Sequence, residues 1–587
     1  MSTQELQQRT AVNIQEKANL IWAIADKLVG TYKPHEYGQV ILPLCVIKRF
    51  NDCLKNTHDA VIEEDEALGD MDPEMKAGFL CEITGYDFYN TSKFTLDTLL
   101  ADPDNIGDNF KAYLQNFSAN VIDILKNFNF EREIEKLDQN DILFNVIQEF
   151  CTPKAYMGVD AISAVDMGYI FEELVRKFSE SYDEQAGAHF TARDIIYLMV
   201  ALLIAPRREE IAKNGITASI YDMTMGTSQM LDCMSEKLTE IDPNAVLTEF
   251  GQELNDLTFA IAKANALIKG QDANNMKLGN TLSNDLLPYQ FDYIISNPPF
   301  GIEWKNEKAA VEAEHKLGES GRFAPGLPAI GDSQQLFVLN GCFKLKDNGR
   351  MAIIQNGSPL FKGDAGSGES NIRGYLLEND WLEAIVQMPT DMFYNTGIAT
   401  YIWIITKEKS ADRVGKVQLI DASNCSVKRR KSLGSKRNEF SDECVALIEK
   451  AYMKNADCTL EEGDLKVETK VFDNDYFKYS KLTIERPLVD EETGEPILKK
   501  GKPQPDAKKR DTEIVPWKED IEEYMKKNVL PYTPEAWIDK KKTKIGYEIP
   551  FTREFYKYVA PRKSEDIFSH LKELESKETE LMNKILG

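Results

Sequence analysis

Short apolar runs alternate with helically spaced apolar residues between residues 218 and 407. The runs have the length and β-branched content of buried strands, whereas the intervening segments repeat their apolar residues every three or four positions. The strand-like runs span 219–224, 245–254, 291–300, 350–357, 382–389 and 399–407, and the helical segments span 229–238, 257–268, 333–345 and 372–377. This alternation predicts an α/β Rossmann-like core with a mostly parallel, doubly wound sheet.

The zones on either side of this core have different patterns. Before it, apolar residues such as Leu20, Ile24 and Leu28 recur at helical spacing. After it, the chain is charged and rich in turn residues, with a basic run at 428–437, and closes on a helical pattern. We therefore predict three domains: an all-α N-terminal domain (1–160), the sheet domain (161–410) and a charged helical C-terminal extension (411–587).

The composition argues against a membrane-spanning, secreted or metal-binding protein. A chain of 587 residues with 42% hydrophobic content is too long for one core and has no run of about 18 apolar residues, so we expect no membrane span. The polar start lacks the apolar segment of a signal peptide. Nine cysteines without a C-x-x-C pair predict reduced thiols in a cytoplasmic protein, and the five histidines show no metal-ligand spacing.

The net charge of -26, from 70 basic and 96 acidic residues, bears on partners. Such a chain is repelled by nucleic-acid phosphates unless its basic residues cluster or a partner supplies the contacts. Acidity that only maintains solubility is common, so charge alone leaves both interpretations open.

The segment FDYIISNPPFG carries the most informative chemistry of the chain. A strand ends at two prolines, whose missing N–H groups and fixed φ angles hold the strand end still with unpaired carbonyls. Asn297 adds a side-chain acceptor and Phe300 adds a flat face. The group Asn297, Pro298, Pro299 and Phe300 suits a planar ring with an exocyclic amine. Taken alone, the same residues also fit a strand followed by a plain proline turn.

Two other strand ends suit a nucleoside. After Asp222, Gly226 lets a ligand approach the backbone, and Thr227 and Ser228 open a helix whose N–H groups suit an anion. By itself this segment is explained more simply as a tight turn with a helix cap. Glu253 ends the second strand, where an acid commonly holds a ribose diol, although a solvated glutamate is the simpler alternative. Together the two features favour a nucleoside.

The expected nucleoside carries no diphosphate. The chain has neither a G-x-x-x-x-G-K-[ST] motif nor a G-x-G-x-x-G motif in the first turn. S-adenosyl-L-methionine therefore fits better than NAD or ATP.

The motifs and their order resemble the modification (methyltransferase) subunits of type I restriction–modification systems, which are N6-adenine DNA methyltransferases. The resemblance covers nearly the whole chain. It includes KPHEYGQVILPL (33–44), AGAHFTARDII (186–196), DMTMGTSQML (222–231), FGQELNDLTFAIAKANALIKG (250–270), GNTL (279–282), NPPFG (297–301), NGSPLF (356–361), MFYNTGIATYIW (392–403) and LPYTPEAWIDKKKTKIGYEIPF (530–551).

The resemblance implies methylation of the N6 amine of adenine in double-stranded DNA, with the target base flipped out of the duplex. It implies a catalytic turn in which Asn297 and Pro298 accept hydrogen bonds from the amine, Pro299 stiffens the turn and Phe300 stacks on the base. No metal is implied. The implied contacts to S-adenosyl-L-methionine are Ala188, His189, Phe190, Thr191, Ala192, Arg193, Asp222, Gly226, Thr227, Ser228, Gln229, Glu253 and Asn280.

The chain departs from the family pattern around the cofactor. Met223 stands where the family more often has proline, and Ser228 and Gln229 stand where it more often has two glycines. Residues 189–192 differ from the frequent Phe-Tyr-Thr-Pro, and Asn280 replaces an aspartate. The intact NPPF motif argues for an active enzyme.

Two other functions fit parts of the pattern. NPP-type turns also occur in enzymes that methylate the N2 amine of guanine in RNA or a glutamine in proteins. Such an RNA enzyme needs neither the helical N-terminal zone nor the charged C-terminal zone, which ranks it lower. The altered glycine turn would suit a non-catalytic scaffold subunit. The absence of a Pro-Cys dipeptide disfavours cytosine C5 methylation.

The last helical pattern places apolar residues on one heptad-like stripe, namely Ile567, Leu571, Leu574, Leu581 and Ile585. A helix that packs on this chain's own core is the alternative. The resemblance implies that this helix binds a specificity (S) subunit in an M2S1 complex, with a restriction (R) subunit as a further candidate partner.

The segment Glu303–Gly331 follows the NPPF motif and is rich in glycine and proline. Its length predicts a loop without regular secondary structure. We expect it to be mobile without DNA and to order over the flipped base.

Overall fold

The computed structural model describes residues 17, 20, 23–163, 166–168, 170–171, 174, 191–213, 215–394, 396–490, 492–499, 501–558 and 563–586. The chain divides into two units, Met1–Glu548 and Ile549–Gly587.

The N-terminal part of the first unit is helical, as the sequence predicts. Its α-helices span Tyr37–Leu54, His58–Leu68, Pro73–Thr84, Leu96–Leu99, Ile106–Gln115, Ala119–Asn127, Glu131–Gln139 and Leu143–Phe150. Aromatic pairs such as Phe50 and Phe88, whose ring centroids are 4.9 Å apart, fill the space between the helices. The same apolar core continues without a break into the sheet region.

A mixed ten-stranded sheet, parallel for most of its width, forms the centre of the first unit. Its strands are β1 (Thr217–Asp222), β2 (Val246–Glu253), β3 (Met276–Leu278), β4 (Phe291–Ser296), β5 (Leu345–Asn356), β6 (Leu382–Gln387), β7 (Thr400–Thr406), β8 (Lys416–Asn424), β11 (Cys458–Glu462) and β12 (Leu465–Asp473). Their order is β11-β12-β8-β6-β7-β5-β4-β1-β2-β3, and β7 runs antiparallel between β5 and β6. This confirms the predicted doubly wound core.

Helices cover the sheet on both faces, which explains why the central strands are almost wholly apolar. Every residue of β7 is buried. The helices of this region span Arg193–Ile204, Arg208–Ile211, Gln229–Ile241, Asp256–Ile268, Lys308–His315, Gln334–Lys344, Ser358–Phe361, Gly368–Glu378 and Asp442–Lys454.

The region after residue 407 contains more strand than its sequence pattern indicates. Strands β8, β11 and β12 extend the central sheet beyond residue 410. The domain limits at 160 and 410 stay predictions. The other elements are the hairpin β9 (Val427–Leu433) and β10 (Lys436–Glu439), β13 (Lys478–Glu485), β14 (Leu498–Lys499), β15 (Lys502–Pro503), β16 (Asp511–Pro516), β17 (Trp537–Ile538), β18 (Lys544–Tyr547) and the helix Ile521–Tyr524.

The second unit consists of the helices Phe551–Phe555 and Ser564–Leu586. The long helix exposes its large apolar side chains, including four of the five residues of the predicted stripe: Ile567, Leu571, Leu574 and Leu581. Over the ranges described above, no helix combines the length and apolarity that a bilayer crossing requires.

A buried ion pair joins two strands of the sheet to a covering helix. Arg350 on β5 lies 2.5 Å from the Glu383 carboxylate on β6, and the Tyr452 hydroxyl donates to the same carboxylate oxygen at 2.7 Å. Arg413 approaches the other carboxylate oxygen at 3.6 Å. The negative charge of Glu383 compensates the positive charges of Arg350 and Arg413 in a region from which water is excluded. Removing this carboxylate leaves both arginines without a counter-charge.

We expect Glu383→Ala to lower the free energy of unfolding by about 3–5 kcal/mol, because it leaves a buried positive charge uncompensated. Urea denaturation measures the loss. The control is Glu240→Ala, which removes the exposed partner of Lys237 and should cost less than about 1 kcal/mol. Equal losses in the two variants would contradict the prediction.

Candidate active site

Asn297 follows the last residue of β4, at the carboxyl edge of the sheet. Its side-chain Nδ2 donates a 2.8 Å hydrogen bond to the Thr191 hydroxyl, which precedes the helix Arg193–Ile204. Its Oδ1 is buried and accepts no hydrogen bond from the described residues. The residue is only 5% exposed, so this acceptor carries a desolvation cost that a bound donor would relieve.

The rest of the turn presents a flat apolar surface beside that acceptor. Pro298 is buried, whereas Pro299 and Phe300 are half-buried. The Phe300 ring packs edge-to-face against Phe393, with centroids 6.0 Å apart and planes at 86°. This contact fixes the ring at a partly accessible position, which leaves part of its surface for a planar ligand.

The turn after β1 is held by a glutamate from β2. The Gly226 N–H donates to Glu253 Oε2 at 2.8 Å, and φ at Gly226 is 54°, in the left-handed region that favours glycine. Glu253 Oε1 accepts the N–H groups of Leu254 and Asn255, at 2.9 and 2.8 Å. The carboxylate therefore cross-links the two neighbouring turns, a role that sequence reasoning did not assign to it.

Three buried polar atoms face no partner at the start of the helix Gln229–Ile241. They are Ser228 Oγ and both amide atoms of Gln229, as far as the described residues extend. The two residues are 1% and 4% exposed, and Ser228 has a φ of 73°. Buried polar groups are normally hydrogen-bonded, so this turn has unused capacity for a polar ligand.

A hydrogen-bond network joins this turn to the Asn297 turn. Asp222 Oδ1 accepts the Ser296 hydroxyl at 2.6 Å and the Thr224 N–H at 3.0 Å. The Thr224 and Ser296 hydroxyls are 2.9 Å apart. Because Ser296 directly precedes Asn297, the network fixes the carboxyl ends of β1 and β4 relative to each other.

Burial changes the pKa of the one carboxyl in this network, that of Asp222. It raises the pKa of the Asp222 carboxyl to about 7, and the hydrogen bonds from Ser296 and from the Thr224 N–H offset only part of that rise. Near neutral pH the carboxyl therefore titrates, and its protonation changes the charge next to both turns.

Asn280 lies in the turn after β3, and protein groups engage its side chain. Its Nδ2 donates to Glu307 at 2.8 Å, and its Oδ1 accepts the N–H groups of Leu282 and Ser283 at 2.9 and 3.3 Å. In this arrangement it joins the GNTL motif to the segment that follows the NPPF turn.

The prediction of a loop without regular secondary structure over Glu303–Gly331 is wrong. The segment contains the helix Lys308–His315, and Trp304 and Phe323 are buried. Arg322 is also buried and donates to the Thr281 carbonyl at 2.7 Å, to Asn340 at 2.9 Å and to Glu314 at 2.7 Å. Buried aromatics and one arginine hold the segment in place, which its glycine and proline content does not indicate.

Comparisons with known proteins define the family. The sequence model described as N-6 DNA Methylase matches residues 163–494, and the one described as HsdM N-terminal domain matches residues 17–150. The first match alone covers more than half of the chain. This chain belongs to the N-6 DNA methylase family.

The similar proteins are methylase subunits. The methylase subunit of type I restriction enzyme MjaIX from Methanocaldococcus jannaschii is 25% identical, with 74% of this chain and 76% of that protein covered. That of type I restriction enzyme MpnII from Mycoplasma pneumoniae is 24% identical, covering 70% and 80%. The fold is that of a type I restriction–modification methyltransferase subunit from Streptococcus thermophilus, at TM-score 0.62 and 22% identity, covering 79% and 97%.

The protein is thus a DNA adenine N6-methyltransferase that resembles the modification subunits of type I restriction–modification systems, as the motifs indicate. RNA or protein methylation and a non-catalytic scaffold are not favoured, because the family and the relatives are DNA methylases. The structure brings the strand-end residues Asp222, Glu253 and Asn297 to one edge of the sheet, as expected for parallel strands.

The individual roles assigned to residues of this methyltransferase remain predictions. Ala188, His189 and Phe190 lie outside the described residues. Thr191, Ala192 and Thr227 are buried, and Ala192 caps the helix Arg193–Ile204. Sequence reasoning missed Thr224, Ser296 and Phe393, although Ser296 adjoins the NPPF motif and Phe393 lies in a quoted motif, MFYNTGIATYIW.

The raised pKa of Asp222 predicts how stability changes with pH. An unfolded aspartate titrates near pH 3.9, so between that value and about 7 the Asp222 carboxyl is more protonated in the folded methyltransferase than in the unfolded chain. The contribution of this carboxyl to stability is then lost as pH rises towards 7. We expect the thermal midpoint of Asp222→Asn, relative to wild type, to increase from pH 5 to pH 7.5.

The control for this prediction is Asp104→Asn at an exposed position, whose midpoint difference from wild type should stay constant over the same range. If Asp222→Asn also keeps a constant difference, the Asp222 carboxyl titrates at an ordinary pKa and the prediction is wrong.

Proposed function

We propose that Asn297 carries the chemistry by which this protein methylates the N6 amine of adenine in double-stranded DNA. The supporting observation is its buried, unpartnered Oδ1, held in place through the 2.8 Å bond from Nδ2 to Thr191. An acceptor that the protein leaves unsatisfied at the carboxyl edge of the sheet is suited to the hydrogen of an exocyclic amine.

The amine of adenine is a weak nucleophile because its lone pair is delocalised into the ring. Asn297 Oδ1 and the Pro298 carbonyl accept its two hydrogens, which favours a more pyramidal nitrogen whose lone pair is available for attack. Phe300 stacks on the ring and fixes its plane. The transfer needs no covalent enzyme intermediate. Much of the rate enhancement therefore comes from holding the amine close to the methyl donor and in the correct orientation. The base leaves the duplex to reach this turn.

The turn after β1 fits the cofactor that such a transfer requires. S-adenosyl-L-methionine, when bound, supplies an electrophilic methyl group on its sulfonium. Ser228 and Gln229 offer buried donors and acceptors that have no partner among the described residues. Glu253 holds the backbone of the turn at Gly226, and its oxygens retain lone pairs for the ribose hydroxyls.

Partner subunits complete the enzyme in this proposal. The relatives are methylase subunits of multi-subunit restriction enzymes by name, and a chain with a net charge of -26 gains DNA affinity through a partner. The helix Ser564–Leu586 presents an exposed apolar stripe of the spacing that helix bundles use. Two copies of this chain would flank one specificity subunit, and a restriction subunit would join that assembly.

Asn297→Ala should lower the rate of methyl transfer to DNA by about 100-fold or more, because it removes a positioned acceptor for the reacting amine. Cofactor affinity, measured by calorimetry, should change little because the turn after β1 is untouched. The assay uses the complex with the specificity subunit and measures kcat.

The matched control is Asn297→Asp, which keeps acceptor oxygens at the same length of side chain and should retain more activity than the alanine variant. A wild-type rate for Asn297→Ala would sink the assignment of the NPPF turn.

Replacing Leu571 and Leu574 by aspartate should abolish co-purification with the specificity subunit, because charge in the stripe disrupts an apolar helix interface. The variant should still fold and bind cofactor. Pull-down through a tag on the specificity subunit measures the effect.

The control replaces Ser569 and Ser576 by aspartate, on the opposite side of the same helix, and should leave co-purification intact. Normal assembly of the Leu571 and Leu574 variant would argue that the partner binds elsewhere.

A further inference from the structure

The β9–β10 hairpin has the opposite charge to the rest of the molecule. Residues 427–439 contain six basic residues and one acid, Glu439, in a chain whose net charge is -26. Neither the proposed catalytic turn nor the proposed cofactor site uses these side chains.

Two of the six basic residues hold the hairpin together and in place. Arg429 binds Glu439 across the two strands. Lys436 is buried and bonds to Asp194 Oδ2 and to the Met392 carbonyl, both at 3.0 Å. The other four are exposed and form no ion pair with any residue of the described ranges: Lys428, Arg430, Lys431 and Arg437.

Asp194 provides the first anchor of the hairpin, close to the Asn297 turn. This aspartate lies in the first turn of the helix that begins at Arg193, and its carboxylate also accepts the Phe440 N–H at 2.9 Å. Three residues earlier, Thr191 accepts the hydrogen bond from Asn297. The same short segment therefore holds both the hairpin and the catalytic amide.

A second anchor comes from the segment around Phe393, the ring that packs against Phe300. The Ser435 N–H donates to the Tyr394 carbonyl at 2.7 Å, and φ at Gly434 is 56°. A Cβ added at Gly434 would lie 2.4 Å from that carbonyl oxygen, so only glycine permits this approach. The hairpin tip is thus fixed to the backbone that supports the base-stacking ring.

We propose that the β9–β10 hairpin binds the phosphate backbone of DNA next to the extruded adenine, through Lys428, Arg430, Lys431 and Arg437. This inference rests on the proposed function and adds where the DNA strand contacts this subunit. Solvated cations on a rigid hairpin neutralise phosphates, whereas the acidic remainder of the chain repels them. The alternative, an acidic surface of a partner protein, is distinguished by the test.

The test replaces Lys428 and Arg430 by glutamine in the complex with the specificity subunit. These two residues lie two positions apart on one strand and so share a face, about 6.6 Å from each other. Loss of two phosphate contacts should make the slope of log affinity against log salt less negative by about 2. Between 50 and 200 mM salt the variant should lose about tenfold less affinity than wild type, with kcat at saturating DNA and cofactor affinity unchanged.

The matched control replaces Lys499 and Lys502 by glutamine in the exposed β14–β15 hairpin, which removes the same charge and should leave the salt slope unchanged. Equal slopes for the Lys428/Arg430 variant and wild type would overturn the inference, as would failure of that variant to co-purify with the specificity subunit. If the variant has the less negative slope but the wild-type complex transfers no methyl group to DNA, the hairpin contact is supported and the proposed function is overturned.

Discussion

The hydrogen bond from the Ser296 hydroxyl to the Asp222 carboxylate is the contact on which the candidate site depends. At 2.6 Å it ties the carboxyl end of β1 to that of β4, its neighbour in the sheet. One strand continues into the turn proposed for the cofactor and the other into the turn proposed for the target base. A methyl donor and an acceptor amine must meet in line, so the relative position of these two strand ends is the quantity that the fold has to fix.

The site is assembled from polar atoms that the protein itself leaves unsatisfied. Asn297 Oδ1, Ser228 Oγ and the Gln229 amide are buried without partners in the described chain. Each such group costs stability in the free protein, and a ligand that pairs with it recovers that cost on binding. Compensated groups such as Arg350 and Glu383 lie away from the site and serve the fold instead.

Charge and apolarity differ between regions of the molecule, which suits these regions to the different partners proposed above. An acidic chain at -26 is unsuited to binding DNA over its whole surface, but the β9–β10 hairpin concentrates cations beside the turn proposed to hold the target base. The apolar stripe of the C-terminal helix offers a separate surface of the kind that another helix covers. In the proposed assembly, affinity for DNA is a property of the complex, whereas the chemistry belongs to this subunit.

The sequence by itself determined six of the ten strands of the central sheet, the helices between them and the residues at their ends, because hydrophobic periodicity and the NPPF turn are local signals. It did not reveal β3, which has only three residues, or β8, β11 and β12. The β11–β12 hairpin joins the sheet through β8, and β8 through β6, and these two pairings connect strands that are distant along the chain. The sequence also predicted a loop without regular secondary structure over Glu303–Gly331. It could not show that Arg322 is held by Thr281 and Asn340 from outside this segment as well as by Glu314 within it. Only the tertiary structure decided that Glu253 holds the Gly226 turn, that Thr191 orients Asn297 and that the basic run at 428–437 lies beside Phe393. Each of these facts is a contact between residues distant along the chain, and no local pattern records which distant groups will meet.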